Sequence, residues 1–183
     1  MDVNFSFTDA EKAEPIRIEQ VFAEKPGGGL VENASYDIPS TTAVGEKNGL
    51  YAPIKAYRLV AAVAVADTSI KIEKGSGVAV GDVIATGKKG VACTAVDESD
   101  NDYDLVTVTL GVAVANGKVL YQAKAASADS AEPIYKPKYV TGKRVPAGKG
   151  DFPVRLINGA NLRKGTACIA DEIAEILPMI TLV

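Results

Sequence analysis

The sequence predicts a mainly β protein: a small antiparallel β-barrel or sandwich with an extended N-terminal arm and one short C-terminal helix. Three observations predict it. Between Thr68 and Gln122, apolar residues recur two apart, as in Ile70 and Ile72, Val78 and Val80, and Val106, Val108 and Leu110. That is the period of a half-buried strand, whose side chains alternate between core and solvent. Between these runs stand Gly75-Ser76-Gly77, Gly81-Asp82, Gly87-Lys88-Lys89-Gly90 and Asn116-Gly117, the chemistry of tight turns. Near the C-terminus the spacing changes, and Ile169, Ile173, Ile176 and Leu177 fall on one face of a helix. Many short strands, even turns and one short helix suit a barrel or sandwich.

Taken in order, residues 1–55 form the arm. They have no sustained period. Ile16, Ile18 and Val21-Phe22 could make one short strand before Pro26-Gly27-Gly28-Gly29 breaks it. Such a segment is either a flexible tail or an arm that orders on a neighbouring subunit, with Phe5, Phe7, Phe22, Leu30, Val31 and Tyr36 as anchors. Residues 56–123 form the β-domain. It begins with a near-continuous apolar strand from Tyr57 to Asp67. A strand from Val78 to Ile84 bends at Gly81, and Gly87 to Gly90 makes a hairpin loop. The strand from Leu105 to Ala115 then ends at Asn116-Gly117, a two-residue hairpin signal.

Residues 124–133 are small and polar and read as a linker. Residues 134–183 form a C-terminal β-rich piece with the helix. In it, strands flank Thr141-Gly142-Lys143, another runs from Phe152 to Ile157, and Asn158-Gly159 reads as a turn. Thr166 could cap the helix, Asp171 and Glu172 suit its first turns, and Pro178 ends it before a terminal strand from Met179 to Val183.

Composition excludes several classes of chemistry. The 183 residues include no histidine, so Ser-His-Asp and Cys-His pairs and histidine-bound zinc are ruled out. The net charge of −3 argues against a nucleic-acid binder. No run approaches the length of a membrane span, and Met1–Pro15 lacks the pattern of a signal peptide. A soluble protein made in a cytosol is expected. Cys93 and Cys168 match no metal spacing; two buried free thiols are expected, with one long-range disulfide as the alternative.

No motif carries a cofactor or metal. Asp100, Asp102 and Asp104 fit an EF-hand loop poorly, with Leu105 where glycine is needed and Gly111 where the bidentate glutamate belongs. Asp97 to Asp104 reads instead as a solvated loop with side-chain turns. The glycine-rich pieces miss the phosphate-loop and dinucleotide spacings. Lys136, Lys138, Lys143, Arg144 and Lys149 lie near Tyr135 and Tyr139; a surface strand with snorkelling lysines explains them better than a nucleic-acid face. A carboxylate enzyme would place Asp82, Asp102 or Asp104 in a cleft with Tyr103 or Lys118. A carbohydrate-binding module would present exposed aromatic side chains.

Three stretches together, KIEKGSGVAVGDVIAT from Lys71, an acidic turn ending NDYD, and LVTVTLGVAVANGKVLYQA from Leu105, resemble a module of phage and prophage structural proteins. These are head-fibre and head-decoration proteins encoded beside major capsid genes in phages of Bacteroides-like bacteria. The ending, GKGDFPVRLINGANLRKG followed by a helix and ILPMITLV, is similar to the ends of such proteins, so the resemblance covers roughly residues 57–183. It implies a non-enzymatic β-rich protein of the virion that binds the major capsid protein on the capsid exterior. It also implies self-association, often as a trimer, without nucleic acid, membrane or cofactor. A ligand- or carbohydrate-binding β-domain is the alternative.

Overall fold

A computed structural model describes residues 15–183. Its strands, in chain order, are β1 (Ile18–Glu24), β2 (Gly29–Val31), β3 (Ala43–Lys47), β4 (Leu50–Pro53), β5 (Ala56–Arg58), β6 (Ser69–Glu73), β7 (Val83–Thr86) and β8 (Lys89–Ala92). Then come β9 (Ala95–Asp97), β10 (Tyr103–Thr107), β11 (Val119–Ala123), β12 (Pro137–Thr141), β13 (Phe152–Val154), β14 (Leu156–Leu162), the helix α1 (Asp171–Ala174) and β15 (Ile180–Leu182). The protein is mainly β with one short C-terminal helix, as its periodicity predicts.

The strands sort into three sheets. The largest has the order β1-β14-β12-β3-β4-β2-β13, with β15 alongside β14. Only Arg155 separates β13 from β14. The ribbon therefore curls round until its last strand continues into the one it started beside, as in a half-barrel. Val31, Val44, Val154 and Leu156 fill the curl, all buried, and Tyr51 and Tyr139 pack edge to face at 5.5 Å. Two smaller sheets, β5-β11-β7-β8 and β6-β10-β9, enclose Tyr57, Leu59, Ile70, Ile72, Ile84, Val106 and Leu120. A third cluster joins the two bodies. In it, Ala85, Tyr121 and Ala123 meet Ile157, Ala160, Ile169, Ile173 and Leu177.

The described part of the expected arm is extended, yet it finds its partners within the chain. β1 pairs with β14, β2 with β13, and β3 with β12. Residues 18–53 and 137–182 thus share one sheet and do not form an arm and a separate C-terminal piece. The expected 56–123 unit keeps its own two sheets. The expected linker 124–133 is strapped down: Ser127 and Gly90 exchange both backbone hydrogen bonds, at 2.8 and 2.9 Å, and Ala131 is buried.

Several local expectations change for identifiable reasons. The hairpin loop at Gly87 joins β7 to β8 as expected. The strand expected from Leu105 to Ala115 stops at Thr107, and beyond it the chain takes a positive φ of +63° at Gly111. Asn116-Gly117 does turn the chain, but β11 pairs with β5 and β7 instead of β10. Asn158-Gly159 lies inside β14, where a Cβ on Gly159 would come within 2.8 Å of the Ala23 side chain on β1. Here the missing side chain permits close strand approach, not a turn. The helix covers only Asp171–Ala174, starts at Ala170 without a side-chain cap, and leaves Ile176 exposed. Thr166 donates its hydroxyl to the Ile16 carbonyl at 2.6 Å and does not cap the helix. Cys93 and Cys168 do not form a disulfide with each other; Cys93 is buried, whereas Cys168 is half-buried.

Candidate functional site

Of the six anchor residues, Phe5 and Phe7 lie outside the described residues. Val31 is wholly buried in the curl and Tyr36 packs against the same cluster, so both serve the intrachain core. Phe22 and Leu30 are exposed at 52% and 46%. Phe22 sits on β1, whose pairing to β14 slips register three times. A bulged edge does not template another strand easily, so a contact there would use side chains and not ladder extension.

A second exposed apolar surface lies on the smaller sheets. The expected strand from Tyr57 to Asp67 leaves the ladder after Arg58, and residues 60–66 run over the surface. Val60 and Val65 are 39% and 58% exposed, and Ala62, Ala64 and Ala66 are exposed beside them. Val63 and Val114 exchange backbone hydrogen bonds of 2.9 Å in both directions, which ties this strip to the exposed Ala113 and Ala115. Neither Val60–Ala66 nor Gly111–Ala115 contains a charge. Continuous apolar surface of this kind marks contact sites more often than scattered residues do.

The carboxylates proposed for catalysis do not converge. Asp82 stands in the turn just before β7. One of its oxygens accepts from Lys55 Nζ at 2.8 Å, the Tyr57 hydroxyl at 3.0 Å and the Ala79 amide at 2.9 Å, and the other from Gln122 Nε2 at 3.0 Å. Asp104 is buried and paired with Lys74 at 2.8 Å. Asp102 is exposed, and its amide donates to Asp100. Lys118 pairs with Glu172 at 3.0 Å, and Lys71 lies over the Tyr103 ring. In the acidic loop the Ser99 and Asp102 amides donate to Asp97 and Asp100, which holds both carboxyls below their ordinary values. These are the side-chain turns expected there.

The basic cluster is largely partnered as well. Lys138 pairs with Glu46, Arg144 with Asp37, and Lys143 lies over Phe152. Of the seven tyrosines, Tyr57 and Tyr121 are buried and the other five are partly buried.

A cleft of about 310 Å³ opens between the curled sheet and the smaller sheets. Its wall includes Arg17, Asp37, Arg58, Glu73, Lys74 and Arg144. Asp37 accepts from the Ala147 amide at 2.9 Å and from Arg144, which lowers its pKa. Glu73 lies 3.7 Å from Arg58. Each carboxylate therefore faces a guanidinium, and at Asp37 this pairing favours the ionised form. Beside the cleft, Thr41 is wholly buried at φ +68°, an uncommon conformation for a β-branched residue. It is held by hydrogen bonds: the Thr41 amide donates to the Thr141 carbonyl at 2.7 Å, and the Thr41 hydroxyl accepts from the Cys168 amide at 2.8 Å. Only the polar run Ser40-Thr41-Thr42 hints at this in the sequence.

No family model, curated protein or solved structure matches the chain.

Proposed function

We propose that this chain is a non-enzymatic structural protein of a phage or prophage, attached to the capsid exterior as a head-decoration or head-fibre component. It is made in the host cytoplasm, self-associates as a trimer and contacts the major capsid protein. The observation that carries this reading is the charge-free strip of Val60–Ala66 with Ala113 and Ala115, exposed on a rigid β scaffold. A protein that exposes such a strip of Val and Ala, and whose candidate carboxylates Asp82 and Asp104 are held by their own partners, is better suited to packing against another protein than to turning over a substrate. The sequence resemblance points the same way.

The test is to grow particles of a phage whose genome encodes the chain, purify them on a density gradient and quantify their proteins by mass spectrometry. The expected result is the chain at a fixed ratio to the major capsid protein, removable without releasing DNA. Particles that lack the chain would overturn the reading.

A further inference from the structure

We infer that Lys55, Asp82 and Gln122 form a self-crosslinking site, in which the Lys55 amine displaces ammonia from the Gln122 side-chain amide and leaves an isopeptide bond inside the chain. The strand register brings the two reactants together. β5 and β11 run antiparallel, with Tyr57 opposite Leu120 and Ala56 opposite Tyr121. The Gln122 backbone amide donates to the Lys55 carbonyl at 3.0 Å, so Lys55 and Gln122 are the next opposed pair. Both side chains leave the sheet on the face that also carries Tyr57 and Leu120, as residues two apart do. Opposed side chains on one face start about 5 Å apart at Cβ.

Asp82 bridges the two reacting ends. One of its oxygens accepts from Lys55 Nζ at 2.8 Å and the other from Gln122 Nε2 at 3.0 Å. Nucleophile and leaving group therefore share one carboxylate, the position a proton carrier between them must occupy. The Tyr57 hydroxyl and the Ala79 amide fix that carboxylate in place. Water is largely kept away: the Lys55 and Asp82 side chains are 17% and 12% exposed, Gln122 is buried, and the Tyr36 ring lies 5.7 Å from Lys55 Nζ. Burial penalises both charges of an ion pair and so brings its neutral form closer in energy. Asp82 then takes a proton from Nζ, and the freed lone pair attacks Cδ of Gln122. The Cδ–Nε2 bond breaks as Asp82 returns the proton to Nε2. Of the three protons on the Lys55 ammonium, one stays on the new amide and two pass to the leaving nitrogen, which departs as ammonium. One amide replaces another, so no oxidant or further reactant enters. A pocket lined by Tyr36, Lys55 and Gln122 gives the ammonium its way out. Holding the reactants in one geometry is worth an effective concentration of about 10⁵ M or more. The reaction runs once per molecule and turns over no substrate. It stands apart from the capsid reading, because it concerns a staple within one chain.

Intact mass spectrometry of the purified full chain, incubated at neutral pH, tests it. The expected result is a chain lighter than its sequence by one ammonia, about 17 Da, with tryptic peptides 48–58 and 119–124 joined through Lys55 and Gln122. Lys55→Arg keeps a cation beside Asp82 but has no primary amine, and is expected to keep its full mass. Asp82→Asn keeps both reactants and is expected to stay unlinked; circular dichroism checks that both variants fold. A wild-type chain at its full sequence mass would overturn the proposal. So would loss of ammonia with the two peptides unlinked, because Asn48-Gly49, Asn116-Gly117 and Asn158-Gly159 can lose it by ring closure on their own backbone. A link from Lys55 to Asp82 with loss of water, or a link that forms as fast in Asp82→Asn, would also overturn it, since Asp82 would then be a reactant or a bystander.

Discussion

Asp82 gathers Lys55, Tyr57, Gln122 and the Ala79 amide onto one carboxylate with its side chain only 12% exposed. Removing one partner of such a pair leaves the other charge poorly solvated, which costs more than the pair itself contributes. Asp82→Ala is therefore expected to destabilise the fold by about 3 kcal/mol in urea unfolding, with Asp82→Asn intermediate because an amide keeps part of the hydrogen bonding. Burial alone would raise the pKa of Glu172, but its own amide, the Gly87 amide and Lys118 outweigh burial and hold it below the ordinary 4.5. A lowered folded-state pKa gives stability that is present above the unfolded value and lost as pH falls through the folded one. Melting temperature should accordingly fall more steeply between about pH 5 and about pH 3 in the wild type than in Glu172→Gln. An identical slope in the two would show that Glu172 carries no linked stability.

At the scale of elements, Gly159 lets β1 lie close against β14. Gly159→Ala forces Ala23 and Phe22 aside and is expected to cost about 1–3 kcal/mol. The strands of the smaller sheets were legible because their residues alternate faces: Ile70 and Ile72 are buried between exposed Lys71 and Glu73. The curled sheet was not, because several of its pairings join residues more than a hundred apart, such as Val21 with Ala160. No local period encodes such a partner, so residues 15–55 read as an arm. The reach of Asp82 to Lys55 and Gln122 was hidden for the same reason, as was the meeting of Asp37 with Arg144 across the cleft. The exposure of Val60–Ala66 was hidden differently: an apolar run reads alike whether it enters a sheet or crosses its surface.

For the molecule as a whole, the shared sheet changes what can be removed. A chain starting at Ala52 lacks β1–β3 and part of β4, which leaves β13 without its partner β2 and takes one neighbour each from β12 and β14. Such a truncation is expected to lose cooperative unfolding, whereas one starting at Pro15 keeps every described strand; circular dichroism melts separate the two. Self-association, by contrast, should depend on the outward faces of a fold already complete in one chain. Val65, 58% exposed within an uncharged strip, is the residue where a new charge would harm assembly without harming the core.

The most direct test of that claim is the native mass of the full chain by light scattering, beside Val65→Asp. The account predicts a trimer for the wild type and a smaller species for the variant, with the same melting temperature. A wild-type monomer, or a trimer indifferent to Val65→Asp, would contradict it.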